Sequence, residues 1–326
     1  MNIFITGGAG YIGSITNSFL KSQGHTTVIF DNLSQGHKES VVDSELVIGD
    51  LTNPSDIEKA FDGRKIDVVI HFAALALAGE SMEKPYHYFR NNILGGLNLL
   101  EAMRSHNVKS IVFSSTCAVY GYPATLPVTE DMPIAPVSVY GASKRHFEEI
   151  LSWYEIVYGI RHAKLRYFNA CGATADGTLG EAHAPETHII PVALSKALTE
   201  SPTFTMFGTD YKTADGTCVR DYIHVLDLAS AHLKAAEKII RDDTSLIANL
   251  GVGRGYSNLE IIAAVEKVTG KKFNITNAPR RSGDPDAIYA DNAKAKQLLG
   301  WEPQYTDIEK VIETAWLWQK SHPKGY

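Results

Sequence analysis

Tyr140 and Lys144 are the pair of side chains in this sequence whose types and spacing point most directly to chemistry. They stand at positions i and i+4 of a helical segment, 139–158, so one helix face presents both. A phenol has a pKa of about 10, but neighbouring positive charges favour the phenolate and lower that pKa. A phenolate beside a substrate hydroxyl can accept its proton while the carbon releases a hydride. The alternative is a packed tyrosine beside a solvated lysine, the usual fate of an isolated pair.

A strand that ends in hydroxyl side chains favours the chemical interpretation of this pair. Ser114, Ser115 and Thr116 precede Tyr140 by about two dozen residues. A hydroxyl at this strand end can hydrogen-bond the same substrate oxygen as the phenol. We assign that role to Thr116 and keep the two serines as the other candidates, because either can bond to backbone instead.

A glycine-rich turn near the N-terminus predicts the partner for hydride chemistry. The apolar run at 2–6 predicts a buried parallel strand, and the apolar spacing of 12–23 predicts the helix that follows it. Between them, Gly8, Gly10 and Gly13 match the fingerprint in which backbone approaches a pyrophosphate at a helix N-terminus. The positive end of the helix dipole favours that anion.

Asp31 indicates which dinucleotide this turn would bind. It ends a second predicted strand, 27–30, close to the offset of a carboxylate that holds the adenosine ribose. No lysine or arginine follows before Lys38, so a 2′-phosphate would meet a carboxylate with little compensating charge. The sequence therefore favours NAD over NADP. A plain glycine-rich turn beside a solvated aspartate is the less favoured interpretation.

Composition and charge limit the classes of partner. The chain has 326 residues, with 31 lysines and arginines, 37 aspartates and glutamates and a net charge of −6. No basic cluster stands out, so we expect no nucleic-acid partner. Three cysteines without metal-like spacing favour free thiols in a reducing compartment, and no metal ligands are predicted. The N-terminus does not read as a signal peptide, and the longest apolar stretch, 68–78, is too short to span a bilayer. A cytoplasmic protein without a membrane partner is the simplest expectation.

The order of the predicted elements defines the fold class. Strands are predicted at 2–6, 27–30, 45–48, 67–71, 109–114 and 161–167, and helices at 12–23, 55–61, 86–106 and 139–158. This alternation is typical of an α/β protein with a Rossmann-type, doubly wound parallel sheet. Ligands of such sheets bind at the carboxyl ends of the strands. That edge is expected to carry Gly7, Asp31, Asp50, Phe72 and Ser114.

The second half of the chain has a different texture. Residues 170–187 are rich in glycine, alanine and threonine and predict a loop or lid. The elements predicted after it are helices at 188–199, 225–241, 258–269, 291–298 and 307–320, and strands at 203–206 and 246–250. We predict an NAD-binding domain of residues 1–169, to which 219–255 returns. A smaller α/β substrate-binding domain would be formed by 170–218 and 256–326.

Over nearly its whole length the chain resembles the extended short-chain dehydrogenases/reductases that act on nucleotide sugars. The resemblance rests on segments 6–13, 31–33, 49–51, 71–74, 79–81, 91–92, 119–121, 140–144, 166–169, 207–211, 215–225 and 279–284. It implies an NAD site lined by Gly7, Gly10, Tyr11, Ile12, Gly13, Asp31, Asn32, Asp50, Leu51, Phe72, Ala73, Ala74, Asn92, Lys144 and Phe168. It implies that the further substrate-binding residues are Asn169, His188, Ile189, Phe207, Arg220, Arg281 and Asp284.

The resemblance also implies how these residues act. Thr116 and Tyr140 would flank the C4 hydroxyl of a UDP-hexose, with Lys144 as the third catalytic residue. Arg220 and Arg281 would hold the diphosphate, which suits their planar, permanently charged groups, and Asp284 would bind a ribose hydroxyl. The implied activity is NAD-dependent epimerisation at C4 of UDP-glucose and UDP-galactose through a 4-keto-hexose, in galactose metabolism. The implied assembly is a homodimer in which helices 86–106 and 139–158 pair.

Several alternatives stay open from sequence. The substrate could be another UDP-sugar, such as an N-acetylhexosamine, a pentose or a uronate, because Ile288 is intermediate in size where the family limits the pocket at C2. His188 could be a helix-start residue rather than a ligand. A non-catalytic NAD sensor is a further alternative. A 4,6-dehydratase is disfavoured because Cys117 and Ala118 follow Thr116, where such enzymes carry an acidic pair.

Overall fold

The computed structural model describes residues 1–281 and 283–326 as an alternation of strands and helices. The strands are β1 Asn2–Thr6, β2 Thr26–Asp31, β3 Glu45–Ile48, β4 Val68–His71, β5 Ser110–Thr116, β6 Arg161–Tyr167, β7 Asn169–Cys171, β8 Thr203–Phe207, β9 Val219–Arg220, β10 Tyr222–His224, β11 Leu246–Leu250, β12 Tyr256–Ser257, β13 Asn274–Ala278 and β14 Ala287–Ile288. The helices are α1 Tyr11–Ser22, α2 Pro54–Phe61, α3 Ala78–Glu83, α4 Pro85–Phe89, α5 Gly95–Ser105, α6 Val139–Tyr158, α7 Ile189–Ala197, α8 Val225–Asp242, α9 Asn258–Thr269, α10 Ala293–Leu299 and α11 Ile308–Ser321.

Seven parallel strands form the main sheet, in the order β11-β6-β5-β4-β1-β2-β3. The order reverses at β1, between β2 and β4, as in a doubly wound nucleotide-binding sheet. The predicted Rossmann-type α/β class is therefore confirmed. Strand β11 follows the other six strands in the sequence, lies at the edge of the sheet and pairs with β6.

Apolar side chains cover both faces of this sheet, which explains the nearly continuous hydrophobic character of its strands. Along β1, Ile3 and Ile5 belong to a core that includes residues of α1 and α8, whereas Phe4 belongs to a second core that includes residues of α2, α5 and α6. All three side chains are at most 2% exposed. Because successive side chains of a strand point to opposite faces of the sheet, β1 contributes to one core on each face.

A second group of elements packs beside the carboxyl edge of the main sheet. Helices α7, α9 and α11 share a core with the parallel pair β8–β13. Strands β12, β9 and β14 form a small mixed sheet, and β10 pairs with β7. This arrangement brings segments from 203–224 and 256–288 together, although they are distant in sequence.

The structure corrects three predicted elements. The predicted helix 86–106 is broken into α4, a π-helical turn at Arg90–Leu94 and α5, and it is preceded by α3, which was not predicted. The predicted loop 170–187 begins as β7. The strand predicted at 109–114 runs to Thr116, so the hydroxyl residues lie in the strand itself. In the residues described, no helix is both long and apolar enough to cross a membrane.

Candidate active site

The glycine turn after β1 is held closed by backbone contacts. Gly7 has a φ of 71°, in the left-handed region, and its N–H donates to Phe30 O at 2.9 Å. A Cβ on Gly13 would overlap the carbonyl oxygen of Gly7. Gly10 is the N-cap of α1 and supplies no capping side chain, so the first N–H groups of the helix face the turn. Free N–H groups and the helix dipole make this turn an anion-binding cradle.

We predict that Gly13→Ala lowers the thermal unfolding midpoint, because the added methyl group must displace the backbone of the turn. Gly79→Ala is the matched control, since a Cβ there meets nothing within 4 Å in α3. The control should be neutral or slightly stabilising, because alanine is favoured over glycine in a helix by roughly 0.5–1 kcal/mol. Scanning calorimetry of both variants tests this, and equal midpoints would contradict the overlap.

A cleft opens at the carboxyl edge of the sheet beside this turn, where ligands of open α/β sheets bind. Eight residues predicted to contact the cofactor line it: Gly7, Asp31, Asn32, Asp50, Leu51, Phe72, Ala73 and Ala74. The lining residues that sequence reasoning missed are Phe30, Ser34, Gln35, Gly36, Gly49, Leu75 and Asn91. A signal was present for three of them, since 34–36 is a polar, glycine-containing loop directly after the carboxyl end of β2.

Asp31 sits where β2 ends at this cleft. Its carboxylate accepts hydrogen bonds from Ala9 N at 3.0 Å and Leu33 N at 2.8 Å, and the residue is 8% exposed. Burial raises the pKa of Asp31, although the two backbone hydrogen bonds act against it. Within the described part of the chain, no lysine or arginine lines the cleft. A glycine cradle joined to a carboxylate without a neighbouring cation fits NAD better than NADP.

Other predicted cofactor residues lie outside the cleft lining. Tyr11 donates its hydroxyl to Gly172 O at 2.6 Å and so ties the glycine turn to the loop after β7. Asn92, on the π-helical turn, exchanges two hydrogen bonds with the backbone of Leu75 and donates to Ser143 Oγ. It thereby joins the cleft wall to α6, and π-turns are frequent at functional sites. The predicted residues that do not line the cleft are Gly10, Tyr11, Ile12, Gly13, Asn92, Lys144 and Phe168.

The three predicted catalytic residues come together at the end of β5 and the start of α6. Thr116 is the last residue of β5, and its Oγ1 accepts from Ala118 N at 3.1 Å. Its hydroxyl also hydrogen-bonds the phenol of Tyr140, an interaction that lowers the pKa of Tyr140. Lys144 is buried one turn further along α6 and donates to Ser114 O at 2.8 Å. Capping of α6 by Ser138, which accepts from Gly141 N, fixes where this helix begins.

The electrostatics of this group differ from the sequence expectation. Burial raises the pKa of Tyr140, and this effect outweighs the hydrogen bond from Thr116. Burial also lowers the pKa of Lys144 to about 7, against the attraction of Glu148. We expected Lys144 to lower the pKa of Tyr140. The protein side chains by themselves do not lower it. The physical reason is that the ammonium is directed at a backbone carbonyl and the ring of Phe113, with Nζ 4.8 Å from the ring centre.

A buried ion pair supports the strand that carries Thr116. Glu148, on α6, accepts from Arg166 through both oxygens, at 2.9 and 2.6 Å, and from Ser115 Oγ at 2.6 Å. Arg166 also donates to Tyr120 OH at 2.9 Å. Both charged side chains are at most 5% exposed. The pair thus connects α6 to β6 and, through Ser115, to β5, which ends at Thr116.

We predict that Glu148→Gln destabilises the protein by about 3–5 kcal/mol, because it leaves the Arg166 guanidinium buried without a counter-charge. Glu149→Gln is the matched control one residue on, where an exposed pair with Arg145 is removed. That loss should stay within about 1 kcal/mol. Urea unfolding measures both, and similar losses in the two variants would show that the buried pair is not special.

The predicted diphosphate and ribose residues lie in the small mixed sheet and the loop before β14. Arg220 Nη2 is 3.4 Å from Asp284 Oδ1, an ion-pair distance, and Arg281 lies over the ring of Phe207 at 4.6 Å. Arg220 is 9% exposed, and in residues 1–281 and 283–326 its Nη2 has no hydrogen-bond partner. Within the described residues the Asp284 carboxylate thus offsets the charge of Arg220 without a hydrogen bond to Nη2, and an anionic ligand would supply that hydrogen bond.

The remaining predicted substrate residues occupy the loop ends around this region. Asn169 begins β7, and its N–H donates to Asp221 O at 3.0 Å. His188 is the N-cap of α7 without capping through its side chain, and Ile189 is the first residue of that helix. His188 Nδ1 lies 2.8 Å from Glu181 Oε1 and 3.0 Å from Glu186 Oε1. Burial acts against the charge on His188, but the two carboxylates raise its pKa to about 10.

A glycine cradle and carboxylate on a Rossmann sheet, with a Thr-Tyr-Lys group beside them, define a dinucleotide-dependent enzyme of the tyrosine-dependent class. The comparison with known protein families agrees with this class. The chain belongs to the NAD dependent epimerase/dehydratase family, which matches residues 3–251.

Similarity to individual proteins extends over the whole chain. A UDP-glucose 4-epimerase from Lactobacillus helveticus is 46% identical over 327 residues, which cover 100% of this chain and 99% of the relative. A crystal structure of a UDP-glucose 4-epimerase matches with a TM-score of 0.97 and 43% identity, over 100% of this chain and 99% of the other. The UDP-glucose 4-epimerase from Bifidobacterium longum, solved in complex with NAD+ and UDP, matches with a TM-score of 0.95 and 37% identity over 100% of both chains.

Proposed function

We propose that this protein catalyses the NAD-dependent interconversion of UDP-glucose and UDP-galactose by inverting C4 of the hexose. The observation that carries the proposal is the place of the buried Arg220 guanidinium relative to the end of β5. Arg220 pairs with Ile288 in the β9–β14 register, and Ile288 lies in a cluster against which Cys117, the residue after Thr116, packs. An anion-binding group and an acid–base pair therefore face one region, as a sugar nucleotide requires.

Each group has a distinct role in the proposed reaction. Tyr140 accepts the proton of the C4 hydroxyl, and the Thr116 hydroxyl holds the same oxygen. NAD, when bound, supplies the acceptor and then the donor of the C4 hydride. Arg220 and Arg281 hold the diphosphate, and Asp284 binds a ribose hydroxyl. The supporting residues in the proposal are Asn169, His188, Ile189 and Phe207.

Inversion requires that the 4-keto-hexose present its opposite face before the hydride returns. The proposed clamp acts on the nucleotide and leaves the hexose free to turn, so the binding energy resides away from the reacting ring. Tyr140 then returns its proton to the C4 oxygen. Net oxidation state is unchanged, so turnover needs no external redox partner.

The deciding experiment is incubation of the purified protein with UDP-galactose without added NAD. We expect UDP-glucose to accumulate to the same equilibrium ratio that is reached from UDP-glucose, because the cofactor is regenerated in each cycle. Chromatography of the nucleotide sugars measures both directions. Failure of either substrate to react, with or without added NAD, would refute the proposal.

The same assay tests whether the protein also accepts a UDP-hexose that carries an N-acetyl group. Ile288 is 4% exposed, packs in a cluster with Phe168, and lies opposite Arg220 in the β9–β14 register. It is thus close to the proposed diphosphate site and of intermediate size. UDP-N-acetylglucosamine in parallel reactions, with the wild type and with Ile288→Tyr, shows whether this position limits the substrate.

We further propose a homodimer that buries one face of α6. Trp153, Ile156 and Val157 on this helix are 65%, 71% and 62% exposed, and Leu94 on the neighbouring π-helical turn is 41% exposed. Contiguous apolar side chains of this size typically mark an interface. Light scattering should give the mass of a dimer for the wild type and of a monomer for Trp153→Glu. Ile48→Glu, at an exposed apolar residue on β3, should leave the mass unchanged.

The domain division and the cellular location also belong to this proposal. Packing of α8 and β11 on the main sheet supports the assignment of 219–255 to the NAD-binding domain 1–169. The core shared by α7, α9 and α11 supports a substrate-binding domain of 170–218 and 256–326. The three cysteines are free, which supports a reducing, cytoplasmic location.

A further inference from the structure

Four metal-ligating side chains cluster in the segment that precedes α7. Glu181, His183, Glu186 and His188 place one ligand atom each within 4.8 Å of all the others. His183 Nδ1 is 3.2 Å from Glu181 Oε1 and 3.3 Å from Glu186 Oε2. His188 Nδ1 is 2.8 Å from Glu181 Oε1 and 3.0 Å from Glu186 Oε1. Each imidazole therefore directs its Nδ1 atom at both carboxylates.

We propose that these four residues form a Zn²⁺ site with two imidazole and two carboxylate ligands. Zinc binds such groups at about 2.0–2.2 Å in tetrahedral geometry, so neighbouring ligand atoms lie about 3.3–3.5 Å apart. With one oxygen taken from each glutamate, three of these nitrogen–oxygen distances are 2.8–3.2 Å, and the four ligand atoms all lie within 4.8 Å of one another. Side-chain rotations would bring the four atoms to those edges without any change of fold.

The charges of the cluster balance with the ion bound. Two carboxylates neutralise the two positive charges of zinc, and the imidazoles coordinate in their neutral form. With the ion bound, the charge of the Glu181 side chain, which is only 8% exposed, is therefore compensated.

The surroundings indicate a structural rather than a catalytic ion. Four protein ligands complete the coordination and leave no open position for substrate. None of the four residues lines the cofactor cleft in the part of the chain that the structure describes. The segment instead crosses over the glycine turn: the His183 ring meets the Tyr11 ring edge-on at 6.3 Å, and Ala182 O accepts from His37 Nε2 at 3.0 Å. The ion would fasten this segment to the start of α7.

The test is zinc binding by the full-length protein after chelator treatment. Calorimetric titration with ZnCl₂ against a competing chelator, with elemental analysis of the dialysed product, should give one ion per chain. His183→Gln and His188→Gln should each weaken binding at least about 100-fold, since even the loss of a residue that only orients a zinc ligand costs roughly 10- to 100-fold. His87→Gln removes an exposed histidine outside the cluster and should leave the affinity unchanged.

Thermal unfolding with and without zinc distinguishes a loss of zinc binding from a folding defect. Zinc should raise the unfolding midpoint of the wild type and of His87→Gln, but not that of Glu186→Gln, whose amide retains the size of the carboxylate. Cobalt(II) in place of zinc should give the strong visible absorption of a tetrahedral site. Binding of equal affinity in wild type and cluster variants, or no saturable binding by the wild type at about 100 μM zinc, would overturn the proposal and leave an ion-pair cluster.

Discussion

Tyr140→Phe is expected to lower kcat for UDP-galactose by about 10²- to 10⁴-fold, the range typical of losing a general acid–base group. The substitution removes the only atom that takes the C4 proton in the proposed reaction. The packing of the ring is retained, because phenylalanine fills the same space at the start of α6. Burial raises the pKa of this phenol in the protein alone, so the positive nicotinamide ring of bound NAD is expected to be needed to favour its phenolate.

Steady-state kinetics by chromatography of the sugar nucleotides tests this prediction. Tyr86→Phe, at a tyrosine that is 80% exposed on α4, is the matched control and should retain wild-type turnover. Bound NAD, released by denaturation and quantified, should be the same in all three proteins. Near-normal epimerisation by Tyr140→Phe would assign the proton transfer to another group.

Arg220→Met is expected to raise KM for UDP-galactose by about 10- to 100-fold. A hydrogen bond to a charged group contributes about 1.5–3 kcal/mol, and each 1.4 kcal/mol is roughly tenfold in affinity. Arg220→Lys should recover only part of this loss, because an ammonium cannot make the two parallel hydrogen bonds of a guanidinium. Nη2 lies 3.4 Å from Asp284 Oδ1 but makes no hydrogen bond within the described residues, so it is the atom to which the diphosphate would bond.

Kinetics together with calorimetric titration of UDP separate binding from chemistry in these variants. Arg241→Met is the control, since Arg241 is exposed in the last turn of α8 and pairs with the adjacent Asp242. Its KM and UDP affinity should stay at wild-type values. A large fall in kcat for Arg220→Met with unchanged UDP affinity would move Arg220 from substrate binding to the chemical step.

Regular elements with strong periodicity were predicted within one or two residues. Helix α6 and strand β11 have the predicted bounds, because their apolar spacing and end signals are local. The segment at 86–106 was predicted as one helix, but a π-helical turn interrupts it. That turn is stabilised by the hydrogen bonds of Asn92 to Leu75 and Ser143, which are distant in sequence. Periodicity carries no information about such contacts.

In the candidate site, too, some features were predictable from the sequence and others depended on contacts between distant residues. Cleft residues next to strand ends, such as Asp31 and Asp50, were predicted because the ends of parallel strands share one edge. The direction of the Lys144 side chain was not predictable, since it depends on a carbonyl of β5. The Glu181–His188 cluster escaped a search based on cysteine spacing, because its ligands are brought together by an irregular loop.

The sequence by itself determined the order of the strands in the first half of the main sheet, the glycine turn, the choice of NAD over NADP and the Tyr-x-x-x-Lys spacing. These properties depend on neighbours within a turn or a strand, where residue type sets backbone geometry. Only the tertiary structure decided that Arg220 is buried beside Asp284, that burial raises the pKa of Tyr140, and that two glutamates contact two histidines. Burial and charge depend on groups far apart in the chain, so they exist only once the fold has formed.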